Sequence, residues 1–400
     1  MTRTILDIHI LQTVPPSNLN RDDTGTPKSA YFGGVRRARV SSQAWKRATR
    51  KAFNELLPPE ELGVRTKKVA EALAERIIAR DTSMESVAVD LAAKILKAAT
   101  GSDMTVPKRK EKNEDGSAAP ESSYLMFLSR RQLDALAELA IAGSGPGKDV
   151  KALEEHLKNK ENKARAREAV DTRHSVDIAL FGRMVADSAD LNVEAATQVA
   201  HALSVHKSEI ESDYYTAVDD LNTDEETGAG MIGTIDFNSA TLYRYAAVDV
   251  DELRRNLGAG LREDESPDTP VEKAVTAFLE AFITSLPTGK INTFGNHTLP
   301  SAVIVKVRDR RPVSFIGAFE KPVQKGEEGG FLEQSCRRLA AHVPELEKQY
   351  GLTKKDSDRG WVFRVGEDTK ALADLGPRVT LEELLEEVGA EVARRLGSDA

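Results

Sequence analysis

Cysteine is nearly absent from this chain of 400 residues, in which Cys336 is the only one. A single thiol excludes an internal disulfide framework and any zinc site built on two or more cysteines of this chain. No apolar run approaches the roughly 20 residues that span a bilayer. The first residues, Met1 to Thr13, lack the charged start, apolar middle and cleavage site of a secretory signal. We therefore expect a globular, cytoplasmic protein without a membrane partner.

Acidic residues are missing from one segment, Thr24 to Asn54, which runs for 31 residues and carries eight lysines or arginines. The segment therefore carries +8. Because the whole chain has a formal net charge of −8, the remainder carries −16. A basic surface neutralises phosphates and releases their counterions, whereas an acidic surface repels a nucleic-acid strand. The sequence therefore predicts a nucleic-acid-binding surface within this segment.

Hydrophobic patterning predicts an α+β protein that begins on a sheet. In the first strand, Ile5 to Thr13, apolar residues alternate with Asp7 and His9, which is the period of a half-buried strand. Further strands are predicted at Arg36 to Val40, Val176 to Phe181, Met231 to Phe237, Thr241 to Val250 and Ala302 to Val307, and helices at Gln43 to Leu57, Val271 to Leu286 and Leu381 to Leu396. This order is that of a ferredoxin-like or RNA-recognition-type sheet opened by insertions.

The composition changes to Ala, Glu, Lys and Leu from about Pro58 to Ser175, which predicts a helical insertion. Helical periodicity is found in Val64 to Ala79, Met84 to Thr100, Leu125 to Ala142 and Lys148 to Val170. Between the second and third of these, Gly101 to Ser123 is polar and contains a basic run, Lys108 to Lys112. We expect a mobile loop there, with a solvated tip favoured over a nucleic-acid contact.

A helical wheel divides the first helix into a cationic edge and a buried side. The edge contains Gln43, Lys46, Arg47 and Arg50, and the opposite side contains Ala44, Trp45, Ala48, Ala52 and Leu56. The alternative is an ordinary solvated face whose charges pair with the acidic remainder. Against that alternative, no acid lies at the helical spacings that would form local pairs with these cations, so we expect them to be available.

The approach to this helix adds further groups that suit a phosphate. Ser41 and Ser42 stand where an N-cap is expected, and the free N–H groups of a helix start attract anions. Arg36, Arg37 and Arg39 lead directly into the helix, after a Gly33-Gly34 pair that would let backbone approach a phosphate closely. The sheet strand with aromatics between glycines, through which RNA-recognition folds stack on bases, is missing. We therefore expect binding through loops and this helix.

Other chemical constellations are weaker. His201 and His206 are five residues apart, which is wrong for two metal ligands on one helix face. Asp219 and Asp220 are adjacent, so they point to different faces, and a turn or salt-bridge role is favoured over a two-metal nuclease. A Ser41 nucleophile with Lys46 as base lacks any oxyanion-hole motif. We expect no catalytic residue, no metal and no cofactor.

The chain resembles a known family, the CasC subunit, which is the repeated backbone protein of the type I-E Cascade complex of CRISPR immunity. The resemblance rests on short strings that occur in the family's order. They are LNRDD (Leu19 to Asp23), FGGVRRARVSSQAWKR (Phe32 to Arg47), DIALFGRM (Asp177 to Met184), AHALSVH (Ala200 to His206), YTAVDDL (Tyr215 to Leu221) and YRYA (Tyr243 to Ala246).

The resemblance implies a ferredoxin-like, RNA-recognition-type palm with a helical fingers insertion and a β-hairpin thumb. On this basis we assign residues 1–57, 176–199 and 233–400 to the palm with its C-terminal helices, 58–175 to the fingers and 200–232 to the thumb. It also implies a non-catalytic subunit, several copies of which line up along one guide CRISPR RNA. The partners would be that guide RNA, target DNA through the guide, other copies of the chain and other Cascade subunits.

The residues that match the family's motifs are expected to contact the guide. They are Arg21, Lys28, Ser41, Gln43, Lys46 and Arg50, to which the helical wheel adds Arg47, and Met184, which would pack beside a base at a segment boundary. In the thumb, Tyr214 and Tyr215 could occupy the space of a displaced base and stack on its neighbours. The alternative for the two tyrosines is that they complete a sheet core.

Two other functions stay open at the level of sequence. The first is a metal-independent CRISPR RNA-processing endonuclease on a related ferredoxin-like fold, with His9, His201 or His206 as general acid or base. The second is a DNA-binding regulator, although no convincing helix-turn-helix pattern is present.

Overall fold

The computed structural model describes residues 3–107, 119–185, 188–217, 231–258, 269–326, 329–352 and 359–397. The strands are β1 Ile5–Ser17, β2 Ser29–Phe32, β3 Val35–Val40, β4 Gly63–Thr66, β5 Met104–Thr105, β6 Glu121–Ser122, β7 Met126–Ser129, β8 Thr197–Val199, β9 Ala202–Ser204, β10 Glu211–Ala217, β11 Met231–Asp249, β12 Ala302–Arg308 and β13 Arg359–Arg364. The helices are α1 Ser42–Leu56, α2 Val69–Arg80, α3 Ala88–Thr100, α4 Arg130–Gly143, α5 Val150–Lys158, α6 Lys160–Asp171, α7 Val176–Phe181, α8 Val250–Gly258, α9 Thr269–Thr284, α10 Ile291–Phe294, α11 Phe331–Gln349 and α12 Leu381–Gly397.

The chain divides into two units. The first contains Met1–Phe53, Thr197–Val250 and Val275–Ala400, and the second contains Asn54–Ala196 and Asp251–Ala274. The second unit includes the whole of the predicted insertion, 58–175, and also residues 176–196, which we assigned to the palm. The division into palm, fingers and thumb stays a prediction. The middle of the predicted mobile loop, residues 108–118, lies outside the described residues, as do Asp219 and Asp220.

A large antiparallel sheet forms the centre of the first unit. Its strand order is β13-β12-β1-β11-β9-β3-β2, and β8 and β10 also pair with β11. Helix α1 follows β1 in the chain, and α9 lies between β11 and β12. The inner order β12-β1-β11-β9 is therefore that of a ferredoxin-like sheet, in which the last strand lies beside the first and the third separates the first from the second. The predicted α+β, ferredoxin-like class is confirmed.

Both faces of β1 are buried, so the prediction of a half-buried strand was wrong. Asp7 and His9, expected at the surface, are 0% and 1% exposed. Arg308 donates to Asp7 at 2.6 Å, the Tyr245 hydroxyl donates to it at 2.8 Å, and the His9 ring stacks on Phe315 at 3.9 Å. These partners lie far along the chain, where a local alternation of residue types cannot report them.

The C-terminal part of the first unit covers one face of this sheet. Cys336, Leu339 and Val343 of α11 form one apolar cluster with Leu11 and Ile304 of the sheet. On the α1 and α9 side, the guanidinium carbon of Arg244 lies 3.7 Å from the centroid of the Trp45 ring and 4.7 Å from that of Phe282. Neither face of the central strands is therefore open for bases to stack on, which agrees with the missing aromatic signature.

The buried line of α1 follows every fourth residue. Trp45, Thr49 and Phe53 are buried, whereas Ala48 and Ala52, which the helical wheel assigned to the buried side, are only half-buried. The prediction is confirmed for Trp45. A line of residues spaced by four drifts slowly around the helix, so it forms a narrower seam than the wheel assumed.

Helices α2 to α6 of the second unit enclose their own apolar core, in which Leu73, Leu91 and Leu133 are fully buried. Helix α4 begins at a capping box, in which the Ser129 and Gln132 side chains each accept the other's backbone N–H. The strand predicted at Val176 to Phe181 is wrong, because these residues form α7. A short buried apolar run has no periodicity that separates a strand from a helix.

Among the described residues, no helix combines the length and the apolar character needed to cross a membrane.

Candidate nucleic-acid interface

The start of α1 is capped by the chain itself, and one amide is left open. The Ser41 hydroxyl accepts the Ala44 N–H at 3.2 Å, which confirms the predicted cap, and the Ser42 N–H donates to Nδ1 of His201 at 3.1 Å. Within the described ranges, the Gln43 N–H has no hydrogen-bond partner. The helix start therefore keeps one donor for an anion rather than the several that the sequence suggested.

His201 is a residue of this surface that sequence reasoning missed as a binding group. Its side chain is exposed, and partial desolvation of the ring, together with the charges of Arg39 and Lys28, lowers its pKa. Because Nδ1 accepts the Ser42 N–H, the neutral ring carries its hydrogen on Nε2 and can donate from that atom. No local pattern could have found this contact, since His201 and Ser42 are 159 positions apart.

Arg37 does not belong to the binding surface, which corrects the expectation that it leads into it. Its guanidinium is buried and donates to the carbonyl oxygens of Phe32 at 3.1 Å, Ser204 at 2.8 Å, Phe319 at 2.9 Å and Glu320 at 3.1 Å. Four carbonyl oxygens compensate a buried cation in place of a carboxylate. The side chain therefore ties strand β3 to the residues that follow β12.

The neighbouring arginines are placed differently. The Nε of Arg36 donates to the Ser29 hydroxyl at 3.0 Å, and the Nε of Arg39 donates to the Ser29 carbonyl at 3.3 Å. Arg36 is exposed and Arg39 is half-buried. Each of these bonds uses Nε, which leaves the terminal guanidinium nitrogens for other contacts.

The Gly33-Gly34 pair forms the two-residue turn between β2 and β3, with φ angles of +59° and +78°. Positive φ at both positions is the backbone of a type I′ hairpin turn. A Cβ at Gly33 would lie 1.6 Å from the Glu320 oxygen, whereas a Cβ at Gly34 would meet nothing within 4 Å. Gly33 thus serves close packing within the chain, not the close approach to a phosphate that we expected of it.

The cationic edge of α1 is only partly exposed. Gln43 and Arg47 are exposed, whereas Lys46 and Arg50 are half-buried. Burial lowers the pKa of Lys46, and both Lys46 and Arg50 interact with other groups of the chain. The expectation that all of these cations are available was therefore wrong for these two.

The loop that carries Arg21 and Lys28 is fixed against the start of α1. The Asn20 side-chain oxygen accepts the Ser41 N–H at 2.9 Å, and the Lys28 N–H donates to the Asn20 carbonyl at 2.9 Å. Asp22 closes the loop, since its Oδ1 accepts the backbone N–H groups two and four residues later. Arg21 is exposed and Lys28 is half-buried. Residues from two separate motifs of the sequence are thereby brought to one surface.

The two tyrosines of the predicted thumb lie on opposite faces of a two-stranded ribbon. Tyr214 pairs with Thr234 and Tyr215 with Gly233, and adjacent residues of a strand point to opposite sides. Tyr214 is 61% exposed and Tyr215 is 45% exposed, so neither completes a sheet core. Residues 218–230, between the two strands, lie outside the described residues. The two rings cannot act as one aromatic pair on one surface.

Met184 belongs to the second unit, where it is 81% exposed beside the buried Arg183. The Arg183 guanidinium donates to the Val170 and Leu191 carbonyls, both at 2.9 Å, and burial lowers its pKa to about 10. The exposed methionine thus follows a firmly held residue. Its predicted contact with a base stays a prediction.

The other two histidines considered as general acid or base, His9 and His206, are buried in the first unit. The Nε2 of His206 accepts the Thr241 N–H at 3.1 Å, and its ring stacks on Phe331 at 3.8 Å. His9 is buried, and burial lowers its pKa well below the usual range. Among the residues that the structure describes, no cluster of three or more His, Cys, Asp or Glu side chains could hold a metal ion.

Comparison with known families decides which group of proteins the chain belongs to. The model of one family, described as CT1975-like protein, matches residues 6–387. The chain belongs to the CT1975-like family. No curated protein matches it in sequence.

This CT1975-like protein is also similar to chains of two solved complexes. The first, "CRISPR RNA-guided surveillance complex, pre-nicking", contains a chain that is 32% identical with a TM-score of 0.80, and the match covers 97% of this chain and 100% of that chain. The second, "CRISPR RNA-guided surveillance complex", contains a chain that is 29% identical with a TM-score of 0.69, over 97% and 99%. The resemblance drawn from the sequence is confirmed at the level of a Cascade-type protein, and type I-E membership stays a prediction.

Proposed function

We propose that this CT1975-like protein is a non-catalytic backbone subunit of a type I-E Cascade surveillance complex. It binds the backbone of the guide CRISPR RNA irrespective of sequence, and several copies follow one another along the guide and present it for pairing with target DNA. The observation that carries the proposal is the gathering of the acid-free segment and the Arg21 loop around the start of α1. The similar chains belong to RNA-guided complexes, which supports a guide RNA as the ligand.

The chemistry of this surface suits a ribose-phosphate chain. The surface offers three kinds of hydrogen-bond donor. The backbone amide of Gln43 and the Nε2 hydrogen of His201 are neutral donors, and the exposed guanidinium of Arg47 is a charged donor. These groups contact phosphate and carry no base readout, which favours sequence-independent binding. Ser41 serves this surface by capping α1, since its hydroxyl is already used by Ala44.

Repetition along a guide requires contacts between copies, and the β10–β11 ribbon has the exposed apolar residues for them. Met231 and Ile232 are 55% and 61% exposed, and they pair with Ala217 and Thr216, which follow the two tyrosines on the neighbouring strand. Exposed apolar groups on a projecting ribbon are typical of a surface that is covered on assembly. We assign this ribbon to contacts with a neighbouring copy and with the displaced base.

The experiment measures binding of purified protein to a fluorescent single-stranded RNA at several salt concentrations. If about five phosphates are contacted, the logarithm of the association constant falls with the logarithm of salt with a slope of about −3.5. Exchanging both Arg47 and Lys28 for alanine removes two cations, so the magnitude of the slope should fall and the slope become about −2.1. A matched control, Lys348→Ala with Lys370→Ala, removes the same charge from exposed positions of the first unit.

Three results would contradict the proposal. The first is a slope near zero for the unaltered protein, which would mean that no phosphates are neutralised. The second is an equal loss of affinity in the control variant, which would reduce the effect to net charge. The third is strong dependence of affinity on RNA sequence.

The alternative, a metal-independent RNA-processing endonuclease, rests on one side chain. His201 is the exposed one of the three histidines that could act as general acid or base. Incubation of the protein with labelled CRISPR repeat RNA is expected to leave the RNA intact. Cleavage that is unaffected by a chelator and disappears in His201→Ala would establish the nuclease instead.

A further inference from the structure

A cavity of about 350 Å³ lies at the base of the β10–β11 ribbon, where it shares the Arg21 loop with the surface described for α1. It is lined by the loop Arg21 to Gly25, by Thr234 to Asp236 of β11, and by Lys290. All of these residues belong to the first unit. The volume falls within the range of about 300–1,000 Å³ that small-ligand sites occupy.

Hydrogen bonds fix two walls of this cavity. Asp236 accepts the Thr26 hydroxyl at 2.8 Å and the Ser212 hydroxyl at 2.7 Å, and the Asn18 amide donates to the Asp236 carbonyl at 2.9 Å. The Asp22 carboxylate is likewise used within the loop, where it accepts the Thr24 N–H at 3.0 Å. Asp22 thus fixes the shape of the loop and Asp236 holds the loop against the ribbon, so the cavity is a built feature of the fold.

Three charged groups of the lining have no such use. In the part of the chain that the structure describes, the side chains of Arg21, Asp23 and Lys290 have neither a hydrogen bond nor an ion-pair partner. All three are exposed. The cavity thus presents two unpaired cations and one unpaired carboxylate.

Lys290 occupies a backbone conformation that lysine seldom adopts. Its φ is +50°, which costs a residue other than glycine about 1–2 kcal/mol. The preceding Gly289 is pressed against the loop, since a Cβ there would lie 2.4 Å from the Asn18 oxygen and 2.3 Å from the Leu19 oxygen. Gly or Asn would adopt this backbone conformation at less cost. The presence of lysine at a strained position therefore indicates that its ammonium group has a function in binding.

We propose that this cavity binds one ribonucleotide unit of single-stranded RNA. Arg21 and Lys290 hold its phosphate from two sides, and the Asp23 carboxylate accepts a hydrogen bond from the ribose 2′-hydroxyl. A carboxylate beside a phosphate repels it unless a hydroxyl lies between them, so the site favours RNA over DNA. This inference rests on the proposed function and adds to it a site for one sugar-phosphate unit and the basis of its selectivity.

The experiment compares an RNA oligonucleotide with a 2′-deoxy strand of the same base sequence. Lys290→Asn removes the ammonium group while keeping a residue that tolerates positive φ, so the fold is preserved. We expect its affinity for RNA to fall about tenfold and the magnitude of the salt slope to fall by about 0.7. Lys290→Gly tests the same loss with a second residue suited to this backbone, and melting temperatures no lower than that of the unaltered protein verify folding.

The selectivity is tested with Asp23→Ala. We expect the ratio of RNA to DNA affinity to fall severalfold, with binding of the deoxy strand strengthened because a repelling charge is gone. A matched control is Asp368→Ala, which removes a carboxylate elsewhere in the first unit and should leave the ratio unchanged.

The outcomes separate this inference from the proposed function. Strong, salt-dependent RNA binding by the unaltered protein, with no change in Lys290→Asn or in the Asp23→Ala ratio, would overturn the ribonucleotide site and leave the proposed function standing. A salt slope near zero for the unaltered protein would overturn both.

Discussion

The Gly33-Gly34 turn provides a matched pair of substitutions within one hairpin. Alanine at either position is forced into positive φ, at +59° or +78°, which costs about 1–2 kcal/mol. Gly34→Ala should cost no more than this, because a Cβ there meets nothing within 4 Å. Gly33→Ala adds a collision, since its Cβ would lie 1.6 Å from the Glu320 oxygen and 2.7 Å from the Glu320 carbonyl carbon.

Relief of that collision displaces the backbone that holds a buried cation. The Glu320 oxygen accepts from Arg37 Nη2 at 3.1 Å, and the Phe319 oxygen accepts from the same nitrogen at 2.9 Å. Loss of one hydrogen bond to a charged group costs about 1.5–3 kcal/mol. We therefore expect Gly33→Ala to lower the free energy of unfolding by about 2.5–5 kcal/mol, which is about 1.5–3 kcal/mol more than Gly34→Ala.

Urea denaturation followed by tryptophan fluorescence measures this difference in the first unit. The chain has two tryptophans, and both Trp45 and Trp361 are buried in that unit. Equal unfolding free energies for Gly33→Ala and Gly34→Ala would refute the reasoning, because the collision with Glu320 would then have no consequence. A large cost for Gly34→Ala would show instead that the turn conformation, not the packing, limits both positions.

Two further predictions concern histidines. Burial, with the charge of Arg183, lowers the pKa of His174 to about 4, so the second unit should lose up to about 3 kcal/mol of stability as pH falls from about 6.5 to about 4. His174→Asn keeps an acceptor for the Gln132 amide, which donates to Nδ1 at 3.1 Å, and should flatten the dependence of the urea midpoint on pH; an unchanged acid loss would assign it to other groups. His201→Asn keeps an acceptor for the Ser42 N–H but lacks the Nε2 donor, so the melting temperature should hold while RNA affinity falls. Unaltered affinity would remove His201 from the RNA surface.

The sequence predicted those elements whose periodicity is local. Helix α1 begins within one residue of the predicted Gln43, and β12 and α12 match their predicted ranges closely. The sequence predicts two strands where β11 is one, because the polar Asn238 and Ser239 interrupt its apolar pattern. Helix α11 went unpredicted and contains Pro344, which ordinarily argues against a helix interior.

The binding surface was predictable only in outline. The absence of acids between Thr24 and Asn54 marked the segment, and Ser41 was correctly identified as the cap. The sequence could not separate Arg37, a buried structural cation, from Arg36 and Arg39, because the carbonyl groups that bury it lie as far away as Glu320. Electrostatic patterning identifies where charge is concentrated, whereas tertiary packing decides which of those charges face a ligand.

Strand β11 belongs both to the central sheet and to the ribbon, so the sheet holds the ribbon at one end only. Its 19 residues run without a break from Met231 to Asp249, which corresponds to a strand length of about 60 Å. One part, Ala240–Asp249, is clamped between β1 and the short strands β8 and β9, whereas Met231–Phe237 is paired with β10. No loop separates the two parts to absorb a deflection. A force on the far end of the ribbon is therefore transmitted along β11 to the hydrogen bonds between β1 and β11. Bending of the ribbon thus strains the centre of the sheet.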